Sequence, residues 1–297
     1  MRCKAVLRVG VAMAAFAMAT TACGQQQDLG GGGTTPTVAQ GVHFEPGTTM
    51  AKIAEAHTIR IGTKFDQPLF GQQTLGGNLT GFDTEVARIV AGALGIPPDK
   101  VQWVESPSAQ REELIKQGRV DLVVATYTIN DKRRQQVSFA GPYYLAGQSL
   151  MVKSDNTTIT GPDSLRGAKA KVCSVQGSTP AENIRKYIDP AQLTVFDVYS
   201  KCADALRTGQ VDVVTTDNVV LLGFVSNSNG AFKLVGDTFT KEPYGIGIRK
   251  GDVAFCTFIN DSLTQAAKSG AYANAWKTTA GKVAEQTPQL PTFDSCS

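Results

Sequence analysis

The chain has 297 residues, 42% hydrophobic and 19% charged, an ordinary folded composition with room for two domains. Its formal charge of +3 traces to Arg2, Lys4 and Arg8, which precede the first acid, Asp28, so the rest of the chain is close to neutral. That balance excludes the concentrated basic face on which nucleic-acid binding depends.

After the cationic start, residues 9–19 form an apolar run too short for a membrane-spanning helix, which needs about 20 such residues. It fits the hydrophobic region of a secretory signal peptide over residues 1–22. The small residues before Cys23 resemble a bacterial lipobox, although Thr20 stands where that pattern usually has an aliphatic residue. "GQQQDLGGGGTTPTVAQG" (24–41) has almost no apolar content and cannot build a core. Residues 23–50 are therefore expected to be a lipidated cysteine and a flexible tether, with a span of roughly 25 Å for about 20 residues.

From residue 58 strand and helix signals alternate. "TIRIGT" reads as a strand, "GFDTEVARIVAGALG" as a helix stopped by Gly95, "KVQWVE" as a strand, "AQREELIKQG" as a helix and "VDLVVAT" as a strand. The unit then recurs: "ELIKQGRVDLVVAT" (113–126) parallels "DALRTGQVDVVTTD" (204–217), each preceded by a strand, "VQWVES" or "LTVFDVYS". The expected fold class is α/β, with two similar lobes joined by two extended crossovers and a ligand cleft between them. Ligands of open α/β sheets sit beyond the carboxyl ends of the strands. That places Thr126, Thr128, Thr216 and Asp217 at a shared cleft. The crossovers are assigned to "GQSLMVKSDN" (147–156) and "EPYGIGIRKGD" (242–252). The expected boundaries are 51–147 for the first part of lobe one, 148–243 for lobe two, and 244–297 for the second crossover and the return to lobe one. Asp121 and Asp212, in the paired Val-Asp motifs, are read as structural.

Cys173, Cys202, Cys256 and Cys296 lie beyond the leader and anchor, an even number that suits two disulfides in an exported chain. Three connectivities are open; 173–202 with 256–296 is preferred because each bridge stays within one local unit. There is no CxxC motif, and His43 and His57 are far from the cysteines in sequence, so no metal site is expected. Neither a Gly-x-Ser-x-Gly elbow nor a histidine triad appears, and no cofactor is called for. A binding protein is preferred to an enzyme.

"ATYTINDKRR" (125–134) leads an apolar strand into hydroxyls and then cations, a pattern suited to a small anion. "GFDTEVARIVAGAL" and "GRVDLVVATYTINDKRRQQVSFAGPYY", in that order, resemble the extracellular solute-binding proteins of polar-amino-acid ABC importers (family 3), over about residues 50–285. The resemblance implies that Arg133 clamps a ligand α-carboxylate, assisted by Ala125, Thr126 and Thr128, while Lys132 and Arg134 face solvent. A guanidinium fork matches a carboxylate independently of that likeness. Asp217 would receive the α-ammonium, and Ser178 and Thr179 of "VQGSTPAENI" would supply hydroxyl and backbone groups, a plain helix cap being the other reading. Ser108 and Arg111 stand where acidic-amino-acid binders of the family carry a serine and an arginine. Lys64 replaces the aspartate of many basic-amino-acid binders. Phe65 and Phe82 would form an apolar wall, unless Phe82 is simply core. Glutamate, or else aspartate, is the expected ligand, with a glutamine or asparagine receptor and a ligand-sensing subunit as alternatives. The expected partner is an ABC permease, the expected state a monomer, and the expected location the extracellular face of the cell membrane, held there by a lipid.

Overall fold

The computed structural model describes residues 37–284 and 286–297, so the leader, Cys23 and the start of the tether lie outside it. The described residues all fall within one compact unit. Two five-stranded sheets form the centres of two lobes. In lobe one the order is Val101–Glu105, Ile59–Thr63, Leu122–Val123, Glu242–Ile248, Ser138–Ala146. In lobe two it is Leu193–Phe196, Val172–Val175, Val213–Asp217, Gln148–Lys153, Phe232–Val235. Each sheet has three mutually parallel strands, a fourth antiparallel to them and a fifth antiparallel to the fourth.

The repeat seen in the sequence is reproduced atom by atom at the base of each sheet. Asp121 N–H donates to Arg60 O (2.8 Å), and an Asp121 carboxylate oxygen accepts from Arg60 N–H (2.8 Å). Asp212 makes the same pair of bonds with Lys171, both at 2.8 Å. The helices before them, Arg111–Lys116 and Tyr199–Thr208, are each followed closely by a glycine in the left-handed region, Gly118 (φ 62°) and Gly209 (φ 77°).

Of the strand expected at 120–126, only Leu122–Val123 is counted in the ladder, although Asp121 and Val124 still bond to the neighbouring strand. Thr126 has a φ of 45°, so the extended backbone cannot continue through it. The chain passes from Ser138–Ala146 through Gly147 into Gln148–Lys153, and returns between Val235 and Glu242. At the junction the two crossing segments run side by side, Glu242 opposite Ala146. Helices Val253–Ser269 and Ala271–Thr278 then pack back onto lobe one.

The folded body begins earlier than residue 51. Ala39 N–H donates to Gly92 O (2.9 Å), and the Phe44 ring meets Phe258 edge-on, since an apolar ring gains more by docking than by trailing in water. Disulfides join Cys173 to Cys202 and Cys256 to Cys296. Among the described residues no helix is long and apolar enough to cross a membrane, and no group of three His, Cys, Asp or Glu is placed to hold a metal.

Candidate functional site

Lobe one gathers cations at the carboxyl ends of its strands. The Asn130 side chain caps the short helix Asp131–Arg134 by accepting from Arg133 N–H at 2.9 Å. This turn buries Arg133, leaves Lys132 exposed and pairs Arg134 with Asp294. The Arg133 guanidinium donates to Thr128 O (2.6 Å) and, across the cleft, to Gly177 O (3.1 Å); its Nε lies 3.5 Å from Glu112. Arg111, 2% exposed, donates to Ala125 O (3.0 Å) and lies 4.2 Å from the centre of the Tyr127 ring, which Arg133 approaches to 5.0 Å. Arg111 Nε makes no hydrogen bond among the described residues. Lys64, 3% exposed, donates to Ser108 Oγ (2.9 Å). Burial, then the Arg111 charge, lowers the Lys64 pKa to about 7; burial, again reinforced by Arg111, lowers that of Arg133 to about 10. Lys64, Ser108, Arg111 and Arg133 therefore form one buried cluster, and neither arginine is a solvated helix residue.

Ala125 and Thr126 are engaged within the lobe. Thr126 N–H donates to Asp83 Oδ2 (2.8 Å), and its hydroxyl lies 3.0 Å from Gln67 Oε1 and 2.8 Å from Ala125 O. Asp83 also accepts from Tyr143 O–H (2.6 Å), and burial raises its pKa to about 6. In the sequence Asp83 carries no signal of this role, because an acid in the first turn of a helix is also an ordinary dipole partner. Phe82 is core: it is wholly buried and packs edge-on against Tyr272 and Trp276. Phe65 is half-buried beside Lys64 in sequence.

Lobe two presents an acid. Asp217, 4% exposed, accepts from Tyr244 O–H through Oδ2 (2.7 Å), while Oδ1 has no hydrogen-bond partner among the described residues. Burial, then the nearby Glu242, raises the Asp217 pKa to about 8. Thr216 is buried beside it. Ser178 is a helix cap: it donates to Val175 O (2.7 Å) and accepts from Ala181 N–H (3.1 Å). Thr179 reaches across to Thr128 (3.3 Å between hydroxyls) and donates to Glu242 (2.7 Å). Tyr244 and Glu242 lie on the second crossover; a lone tyrosine or glutamate in a strand carries no sequence signal for such roles.

The lobes touch around this cluster. A Cβ on Gly177 would come within 2.8 Å of Ala109 backbone, and its φ of 76° also disfavours a side chain. Asp66 accepts from Ser200 N–H across the same gap (3.0 Å). A cavity of about 320 Å³ opens between them, bordered by Ser108, Glu112, Arg133, Gly177, Ser178 and Thr179, while Lys64, Arg111 and Asp217 lie behind its lining. A larger hollow of about 400 Å³ at the other end of lobe one contains none of the expected site residues. With several cations on one wall and an acid on the other, the cleft suits a small zwitterion with surplus negative charge.

Residues 59–279 match the sequence profile of the bacterial extracellular solute-binding proteins, family 3. The chain is 38% identical over 237 residues to the glutamate-binding protein GluB of Corynebacterium efficiens, covering 77% of this chain and 80% of that protein. It is 37% identical over 230 residues to the glutamine-binding protein GlnH of Bacillus subtilis, covering 77% and 83%. Among solved structures, an ancestral arginine-binding protein bound to glutamine superposes with a TM-score of 0.70 at 36% identity, covering 75% of this chain and 97% of that one.

Proposed function

Since the chain belongs to the bacterial extracellular solute-binding proteins of family 3, we propose that it is a receptor for an acidic amino acid, L-glutamate before L-aspartate, that delivers its ligand to an ABC importer. The observation that carries the preference is the burial of Lys64, Ser108 and Arg111 beside Arg133. Arg133 matches one carboxylate, so the further cations fit a second. Asp217 on the facing lobe takes the ammonium through Oδ1, which is unbonded among the described residues. A buried charge left unpaired costs several kcal/mol, which sets this pocket against lysine and arginine. A ligand that contacts both walls favours the closed arrangement of the lobes, a shape that a permease can recognise.

Glutamine is the second reading. It is supported by the likeness to GlnH and by the lowered pKa of Lys64, because a lysine that is often neutral is compatible with an amide. Titration calorimetry on the body from Gly24 onward, with L-glutamate, L-aspartate, L-glutamine and L-arginine, decides between them. The acidic reading expects binding in the micromolar range, about −8 kcal/mol, and a loss of about tenfold for glutamate but not glutamine in Arg111→Ala. Tighter binding of glutamine would overturn the acidic preference. The relatives' names as binding proteins support a receptor over an enzyme. Monomeric behaviour and lipid anchoring at Cys23 on the outer face of the membrane complete the proposal. The anchor is checked by release of Cys23→Ala into the medium.

A further inference from the structure

Glu242 is 1% exposed and lies where the second crossover enters lobe one. Its Oε1 accepts from Asn183 Nδ2 (3.1 Å) and Thr240 O–H (2.8 Å), and its Oε2 accepts from Thr179 O–H (2.7 Å). Proton bookkeeping gives these bonds a direction. A carboxylate only accepts, and a threonine hydroxyl has one proton. Thr240 receives Gln148 N–H (3.1 Å) and passes its own proton to Glu242. Thr179 Oγ1 lies within donating distance of both Glu242 (2.7 Å) and Thr128 Oγ1 (3.3 Å); its single proton goes to the shorter, charged bond, and the contact with Thr128 is then a hydrogen bond only with Thr128 as donor. The chain therefore runs Thr128 to Thr179 to Glu242, from lobe one through lobe two to the crossover. Thr128, with its proton committed, offers the cleft lone pairs. Its backbone faces that of Tyr244, whose hydroxyl holds Asp217.

We propose that Glu242 is a positioning residue for ligand recognition: it orients Thr179, and through it Thr128, so that Thr128 presents an acceptor to a ligand ammonium rather than the donor to the α-carboxylate that the resemblance implied. This rests on the amino-acid reading above but not on the choice between glutamate and glutamine. Glu242→Gln tests it with nearly unchanged shape. Asn183 and Thr240 hold the amide oxygen in the place of Oε1, so the amide N–H₂ faces Thr179. The chain reverses, and Thr128 becomes a donor pointing at the ammonium's position.

Calorimetry would compare wild type and Glu242→Gln with L-glutamate, L-glutamine and L-2-hydroxyglutarate. The hydroxy acid can donate or accept at the 2-position and so tolerates either direction. The amino acid that wild type binds is expected to weaken about tenfold in the variant, a loss typical of hydrogen bonds to charged groups, while the hydroxy acid changes by less than about threefold. Equal losses for both ligands would indicate mere structural damage and overturn the inference, as would no loss for either. A wild type that binds neither amino acid defeats the amino-acid reading itself. The relay is then judged without ligand, by NMR of the Thr179 hydroxyl proton. A slowly exchanging proton bonded to Glu242 in the wild type and redirected in Glu242→Gln upholds the relay, and a freely exchanging one overturns it.

Discussion

At the base of lobe one Asp121 exchanges two backbone-anchored bonds with Arg60, and at the base of lobe two Asp212 does the same with Lys171. At the other end of the same sheets the likeness stops. The first repeat exits into Thr126, Thr128 and the buried Arg133, and the second into Thr216 and Asp217. The repeated half is scaffold, needed in any lobe to hold a strand to its neighbour. The half that diverges carries opposite charge on the two walls. On the proposed function, a ligand with both signs is recognised only when the lobes meet, because either wall alone leaves one of its charges unpaired.

The contrast is broken most forcefully by Arg133→Ala. It should weaken amino-acid binding by about a hundredfold or more, the loss expected when one partner of a buried charge pair is truncated, with the melting temperature little lowered. Loss of fold instead of affinity would make Arg133 part of the scaffold. Gly177→Ala attacks the meeting of the lobes rather than either wall. The added methyl abuts Ala109 and strains a left-handed backbone, so affinity should fall about tenfold or more, with the loss mainly in the dissociation rate. An unchanged rate would show that the lobes close elsewhere.

Protonation sharpens the same comparison. In the free protein Asp217 holds a proton below about pH 8, and an ammonium ligand favours its ionised form, so binding at pH 6.5 releases a proton. Lys64 loses its proton above about pH 7, and a carboxylate ligand favours its charged form, so binding at pH 8.5 takes one up. Asp83, near pH 6, keeps the same internal partners and shifts the balance little. Affinity should therefore peak between pH 7 and 8 and fall on both sides. Calorimetry in buffers of different ionisation enthalpy reads the sign, and Lys64→Met should leave only the release. The smallest effect on binding belongs to the scaffold. Asp121→Ala and Asp212→Ala should each cost about 1–2 kcal/mol of stability in urea while leaving affinity within about twofold. A large affinity loss in either would undo the division of labour between base and rim.

Much of this was legible in the linear chain. Helical spacing with a glycine stop, apolar strand runs and the recurrence of a Gly-x-Val-Asp unit are local patterns, and local geometry fixes what they become. They were enough to define two α/β lobes and to place Thr126 and Asp217 at the ends of the two copies of the unit, while Arg133 came from the cationic stretch after the first copy and the family resemblance it carries. Even the misplaced edge of the tether has a local cause: Phe44 is a single ring in a polar stretch, and only the presence of Phe258 makes it part of the body. Other features depend on partners far apart in sequence. Asp83 with Thr126 and Tyr143, Tyr244 with Asp217, and Glu242 with Thr179 are joined across 43 to 63 or 27 residues by the folding of the sheets. The same holds for the choice among three disulfide connectivities and for Phe82, whose place in the core is set by Tyr272 and Trp276. A sequence determines the propensity of each segment and the charge it carries, but hydrogen-bond direction, burial and the neighbours that shift a pKa exist only once those segments are packed together.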